Sequence, residues 1–323
     1  MTVPAGTFQA HSAIGNLDDL EDVIYNISPT EFPFMTNADR GKATGVFHEW
    51  QTDVLATAVA TNAAIEGDDA TVLTATPTVR LGNYCQIATK AISVSGTQDA
   101  VRKAGRKSEL AYQIMKRGKE IKRDIESQLT QNKASSAGGT GTSRTSASIE
   151  SWLFTNRTDL GTGGSPTTPG FISGTVAAPT DNSTAGTFTE AALKAVIRAV
   201  WDQGGDPRVI MVNAFQKTKF SAFAGIATQY RENKGMAQAT IVAAADVYIS
   251  DFGEHRVLPN RFMRTSVALV LDMDYWEVAY LRPFTQFPLA KTGDSEKRQM
   301  LAEYTLVSRN EAASGKVTTL TTS

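Results

Sequence analysis

One stretch limits what this chain can fold into more than any other. Residues 45–96 read GVFHEWQTDVLATAVATNAAIEGDDATVLTATPTVRLGNYCQIATKAISVSG. Both flanks are rich in Val, Thr and aromatic residues, and the centre, AAIEGDDAT, is a turn signal. The pattern predicts a long β-hairpin with arms over 46–61 and 71–94. The arms are rich in Ala and Thr and have few large apolar residues, so the hairpin has little apolar surface to bury against itself. An isolated hairpin is marginal in water, so this one requires a partner surface. Its tip gathers Glu66, Asp68 and Asp69, three negative charges within four residues.

The rest of the chain is organised around that hairpin. Residues 1–40 form an irregular arm in which only Leu17–Ile27 has helical patterning, stopped by Pro29 and Pro33. Such an arm frays unless something holds it. The clearest helix spans 98–132, where Leu110, Ile114, Ile121 and Ile125 make one apolar stripe. Lys116, Lys119 and Arg123 fall on the opposite face. Ten basic and four acidic residues lie between Arg102 and Lys133, so this helix is locally cationic. Residues 134–148, ASSAGGTGTSRTSAS, carry almost no apolar mass and are expected to be a mobile loop. A further Gly/Thr/Pro-rich stretch covers 161–187. A second helix then starts at a capping box of Thr187 and Glu190, buries Leu193, Val196, Ile197, Val200 and Trp201, and ends at Gly204-Gly205. PRVIMVN reads as a buried strand and AFQKTKFSAFAG as a helical piece, which together make an α/β unit. From 240 onward the chain turns to strands: ATIVAAADVYIS, HRVLPNRF, SVALVLDM, YWEVAYLR, AEYTLVSRN and KVTTL.

Composition narrows the function. The 323 residues carry 32 basic and 33 acidic side chains, and this balance argues against a dedicated nucleic-acid binder. A single cysteine, Cys85, excludes a disulfide framework and a Cys-based zinc site, and reads as a small buried hydrophobe. His11, His48 and His255 are far apart. No secretion signal or membrane-length apolar run is present, which predicts a soluble intracellular chain. Lys291-Thr292-Gly293 matches a triplet of serine β-lactamases, but no lysine has a serine three positions before it. The triplet reads as a turn. Asp272 and Asp274 look like a metal-binding pair but fit a hairpin turn between SVALVL and WEVAYL. His48-Glu49 lacks the second histidine of a zinc protease, and His255 reads as a satisfied surface histidine. No cofactor or metal is expected.

LRPFTQFPLAKTGDSEKRQMLAEYTLVSRNEAASGKVTTL (281–320), preceded by YISDFGEHRVLPNRFM (248–263), resembles the C-terminal signature of tailed-bacteriophage major capsid proteins of a podovirus-like subgroup. The resemblance is specific over 246–320; upstream it is one of element order. It implies an α+β fold of the Hong Kong 97 type. That fold would divide the chain into an N-terminal arm (1–40), an extended hairpin loop (41–95), a spine helix of the peripheral domain (96–135), an axial domain with flexible loops (136–245) and antiparallel peripheral-domain strands (246–323). The implied function is structural: hexamers and pentamers self-assembling into an icosahedral or elongated head shell around double-stranded DNA, bound without sequence preference. It implies assembly in the host cytoplasm, residence in the virion, and separate scaffolding, portal and decoration proteins as partners. In such a shell Glu66, Asp68 and Asp69 would contact a neighbouring subunit, and Lys116, Lys119 and Arg123 would face DNA. The alternatives are an encapsulin-like compartment of the same fold, or a hydrolase requiring Asp272, Asp274 or His255 to converge in a cleft.

Overall fold

The structure, a computed structural model, describes residues 31–67, 69, 74–103, 105–223 and 246–322. The expected helix at 17–27, His11, Asp68, residues 224–225 of the expected helical piece and residues 239–245 of the expected strand lie outside them.

In chain order the elements are α1 (Pro33–Asn37), β1 (Asp39–Lys42), β2 (Phe47–Thr52), β3 (Val79–Tyr84), β4 (Gln86–Ser95), α2 (Gly96–Ala100), α3 (Glu109–Thr130) and α4 (Ile149–Trp152). There follow β5 (Arg157–Asp159), β6 (Phe171–Ile172), β7 (Thr175–Val176), α5 (Glu190–Asp202), β8 (Val209–Val212) and α6 (Ala214–Ser221). The last group is β9 (Val247–Ser250), β10 (Gly253–Pro259), β11 (Ala268–Leu271), β12 (Trp276–Pro288), β13 (Ser295–Ser308) and β14 (Gly315–Thr318). Two sheets organise them. One has the order β1-β12-β13-β4 and the other β5-β14-β11-β8-β10-β9.

The six-stranded sheet is covered on both faces. Val209, Met211, Leu269 and Leu271 point into a core shared with Ile121, Ile125 and Leu129 of α3 and with Trp276, Val278, Tyr304 and Leu306 of the other sheet. Their neighbours Ile210, Val212, Ala268 and Val270 point the opposite way, onto Leu193, Val196, Ile197 and Val200 of α5. Period-two alternation between two cores is why VIMV and ALVL are continuously apolar.

Several expectations need correction. The helix expected over 98–132 is two helices. Gly105 takes a positive φ of 74°, and Ser108 accepts a hydrogen bond from Ala111 N to open α3, so the chain breaks and restarts. The capping residue of α5 is Thr189, which accepts from Ala192 N, rather than Thr187. The stretch 134–148 is a narrow antiparallel ribbon, bridged at Ser136–Thr145 and Gly139–Thr142, whose end is tied in by buried Ser146 and Ser148. Low apolar mass reads as mobility in sequence; here hydroxyl hydrogen bonds replace apolar burial. The second hairpin arm is split at Cys85: β3 pairs with β2, whereas β4 pairs with β13. The four-stranded sheet is antiparallel except for β1, which runs parallel to β12. Strands after 246 do not stay in one sheet, because β9, β10, β11 and β14 join β8 while only β12 and β13 join β4. Apolar patterning marks a strand but does not name its partner.

Candidate functional site

The hairpin ladder runs only from Phe47↔Tyr84 to Thr52↔Val79. Its base is anchored: Trp50 packs on Trp152 at 5.4 Å between ring centroids, and Trp152 stacks on Phe171 at 5.9 Å. Beyond Thr52 the described residues of the loop pair with no strand. They expose large apolar side chains: Leu55 is 98% accessible and Val54 80%, with Val59 and Ile65 also open. Scattered apolar residues on a surface need no explanation, but four on one unsupported loop make a candidate contact surface. Glu66 and Asp69 lie exposed at the tip around Gly67, whose φ is 85°. The acidic tip was legible in sequence. The apolar load beside it was hidden by the expectation that these residues belonged to strands.

The second surface is α3. Ile121 and Ile125 are fully buried as expected, while Leu110 and Ile114 are half-covered because the N-terminal half of the helix projects past the core. Lys116 and Lys119 are exposed. Arg123 is half-buried, with its guanidinium over the Phe262 ring at 5.7 Å. The sequence did not single out Lys122, which is exposed on the same side with its ammonium 5.9 Å from the Phe284 ring centroid. The acidic residues of the helix are largely consumed, since Asp124 pairs with Lys90 at 2.8 Å and Glu120 with Arg117 at 2.5 Å.

The third surface is the outer half of the β12–β13 hairpin, exposed from Arg282 to Pro288. Its register shifts between Tyr280 and Thr285. At that bend the carboxylate of Glu303, 3% accessible, accepts from Arg144 Nη2 at 2.6 Å and from Arg282 Nε at 2.7 Å. Lys291-Thr292-Gly293 is the exposed turn at the tip, with Gly293 at a φ of 102°.

The residues weighed for catalysis are occupied structurally. Asp272 does not sit in a hairpin turn. It caps a 3-10 turn, Met273–Tyr275, on the crossover between the two sheets, accepting from Asp274 N and Asp206 N at 3.3 Å each. Burial pushes its carboxyl above the usual range. Cys85 is enclosed with Ala43, Ala279 and Val307. Burial, with a smaller contribution from Glu303, pushes its thiol up to about 11, which keeps it from acting as a thiolate. Among the described residues, no three His, Cys, Asp or Glu side chains group to hold a metal, and no helix is long and apolar enough to cross a membrane.

His255 is buried, not a surface histidine. Its Nε2 meets Ser250 Oγ at 2.6 Å and its Nδ1 contacts the Pro207 carbonyl. Burial lowers its pKa below the ordinary 6.5. The unfolded chain therefore binds this proton more readily than the native one. His255 contributes stability that is complete above 6.5 and is lost as pH falls through the lower native value. Replacing His255 by Gln is expected to flatten that part of the stability–pH curve, read as the wild-type minus variant difference in urea midpoint. A difference that stays constant on acidification would contradict it.

Comparisons with known proteins agree with this architecture. The SU10 major capsid protein family matches residues 4–321. The major capsid protein of Escherichia phage Phieco32 is 28% identical, over 90% of this chain and 90% of its own length. Among solved structures, the capsid of cyanophage A-1(L) superposes with a TM-score of 0.64 at 12% identity, covering 97% of this chain and 98% of that one. Gordonia phage Cozz gives 0.59 at 12% identity, covering 98% and 96%. These likenesses place the chain in the Hong Kong 97 type fold. With the family matched across almost the whole sequence, the chain belongs to the SU10 major capsid protein family, and its function is that of a phage major capsid protein, the subunit of the capsid shell.

Proposed function

We propose that this shell is built of hexamers and pentamers and encloses double-stranded DNA held without sequence preference, and that the subunit's work is association rather than catalysis. The observation that carries the reading is the loop at 53–67: its apolar side chains have no partner within the described chain and face outward, so they are covered when the loop lies over a neighbouring subunit. In this reading the six-stranded sheet with α5 is the axial domain, and α3 with the four-stranded sheet is the peripheral domain. Assembly takes place in the host cytoplasm with separate scaffolding, portal and decoration proteins.

Lys116, Lys119 and Arg123 face the shell's interior in this reading and partly neutralise packaged phosphate. Each phosphate contact adds roughly 0.9 to the slope of log affinity against log salt. Replacing all three by Gln is expected to leave shell dimensions unchanged in electron micrographs, to lower retention of a full-length genome, and to make DNA release less dependent on salt. Shells of the variant that package and retain DNA as the wild type does would remove these residues from the DNA-facing surface.

A further inference from the structure

A cleft of about 350 Å³ lies where α1, the cationic side of α3 and the bend of β12 meet. Its apolar walls are Phe32, Met35, Tyr280 and Phe284, and its charged rim is Arg40 and Lys122. Phe32 stacks on Phe262 at 6.5 Å, and Arg123 covers the other end of that aromatic row. Arg40 and Lys122 are exposed and have no ion-pair partner among the described residues. A cleft with aromatic walls and two uncompensated cations fits a segment that is apolar and acidic at once.

The sequence holds such a segment a few residues before Phe32, outside the described residues. Residues 16–27, NLDDLEDVIYNI, place Leu17, Leu20, Val23, Ile24 and Ile27 among Asp18, Asp19, Glu21 and Asp22. The four acids come with no base. Ile27 is separated from Phe32, itself a wall of the cleft, by only Ser28, Pro29, Thr30 and Glu31. At about 3.3–3.6 Å per residue, this link spans less than roughly 20 Å, so the segment is held close to the cleft at high effective concentration.

We infer that the acidic–apolar segment 17–27 of the same chain is the occupant of this cleft, its apolar side chains on Phe32, Tyr280 and Phe284 and its carboxylates toward Arg40 and Lys122. Exposed ion pairs are individually weak, so the apolar contacts supply most of the attachment and the charges select the segment.

The test is photo-crosslinking of the full-length, unassembled subunit. Thr36, exposed on the rim of the cleft, is replaced by p-benzoylphenylalanine, and the attached peptide is identified by mass spectrometry in a mixture of isotopically light and heavy subunits. The expected product joins position 36 to residues 17–27 of the same chain. Reversing the rim with Arg40→Glu and Lys122→Glu should lower that product roughly tenfold, and adding Asp18→Lys, Asp19→Lys, Glu21→Lys and Asp22→Lys should restore it. Circular dichroism confirms that the rim variant is folded. Attachment elsewhere, attachment to the segment of a different copy, or a yield indifferent to both charge reversals would each overturn the inference.

Discussion

Replacing Glu126 by Leu is expected to destabilise the unassembled subunit by about 3–5 kcal/mol, read as a lower urea midpoint with an unchanged slope. Glu126 is fully buried in α3. Its Oε1 accepts from Phe34 N at 2.8 Å and Asn260 Nδ2 at 2.7 Å, and its Oε2 accepts from Met35 N at 3.0 Å. Phe34 and Met35 sit in the first turn of α1, where helix N–H groups lack partners. Phe32, the residue at the cap, makes no side-chain bond to them, and Pro33 has no N–H. Glu126 therefore caps α1 from a distant part of the chain. Leucine fills the volume but leaves two backbone donors and an amide unpaired, each at a cost of about 1–3 kcal/mol. The loss would also loosen Phe34, which packs edge-on against Trp276 at 6.3 Å. Glu126→Gln keeps the shape and one acceptor, so a smaller loss of about 1–2 kcal/mol is expected.

The same residue carries a pH signature. Burial raises the Glu126 pKa above 4.5, only partly offset by its hydrogen bonds to Met35, Phe34 and Asn260. A carboxyl with a raised native pKa contributes stability that is complete below the unfolded value and lost as pH rises through the native one. The stability of the wild type relative to Glu126→Gln should thus be greater below pH 4.5 than at neutral pH. The opposite slope would mean that the hydrogen bonds outweigh desolvation at this site.

Glu126 also shows where sequence reading stops. Ile121 and Ile125 announced the buried face of α3 through their spacing, and the unbroken apolar run VIMV announced a buried strand, though not that it separates two cores. Helical spacing also sets Glu126 beside Ile125, but nothing in the sequence ties position 126 to positions 34 and 35. That contact exists only once β1 runs parallel to β12 and brings α1 over α3. The sorting of β10, β11 and β14 away from β12 and β13 is unreadable for the same reason, since apolar patterning specifies that a strand is buried and leaves its partner open. Helical angle alone sets Lys116 and Lys119 on the exposed side of α3, whereas Arg123, on the same arc, is half-buried over Phe262. Lys122 was not legible, because its exposure and its stacking on Phe284 depend on the bend in β12. The hairpin's poor self-burial was legible, but its four exposed apolar side chains were credited to a ladder that stops at Thr52.

Those side chains set the largest effect expected on assembly. Covering one Val, Leu or Ile side chain contributes about 1.5–3 kcal/mol, against about 0.2–1 kcal/mol for an exposed ion pair. Val54, Leu55, Val59 and Ile65 together therefore outweigh the acidic tip as the source of contact strength. In the proposed contact the charges of Glu66, Asp68 and Asp69 are expected to act mainly by rejecting wrong registers, because like charges brought together are penalised. Two variants separate the roles. Replacing Val54, Leu55, Val59 and Ile65 by Ser should leave the subunit folded by circular dichroism, since these side chains support nothing within the described chain, and should abolish shell formation. Replacing the three acids by Lys should also leave the subunit folded, but the contact energy survives, so the expected product is aberrant assemblies or few shells, not an inert monomer. Each contact is repeated throughout a shell, so a modest loss per loop becomes an all-or-none outcome under electron microscopy. Normal shells from the four-Ser variant would show that the loop is not a strength-bearing contact. Normal shells from the three-Lys variant would show that the acidic tip remains in solvent.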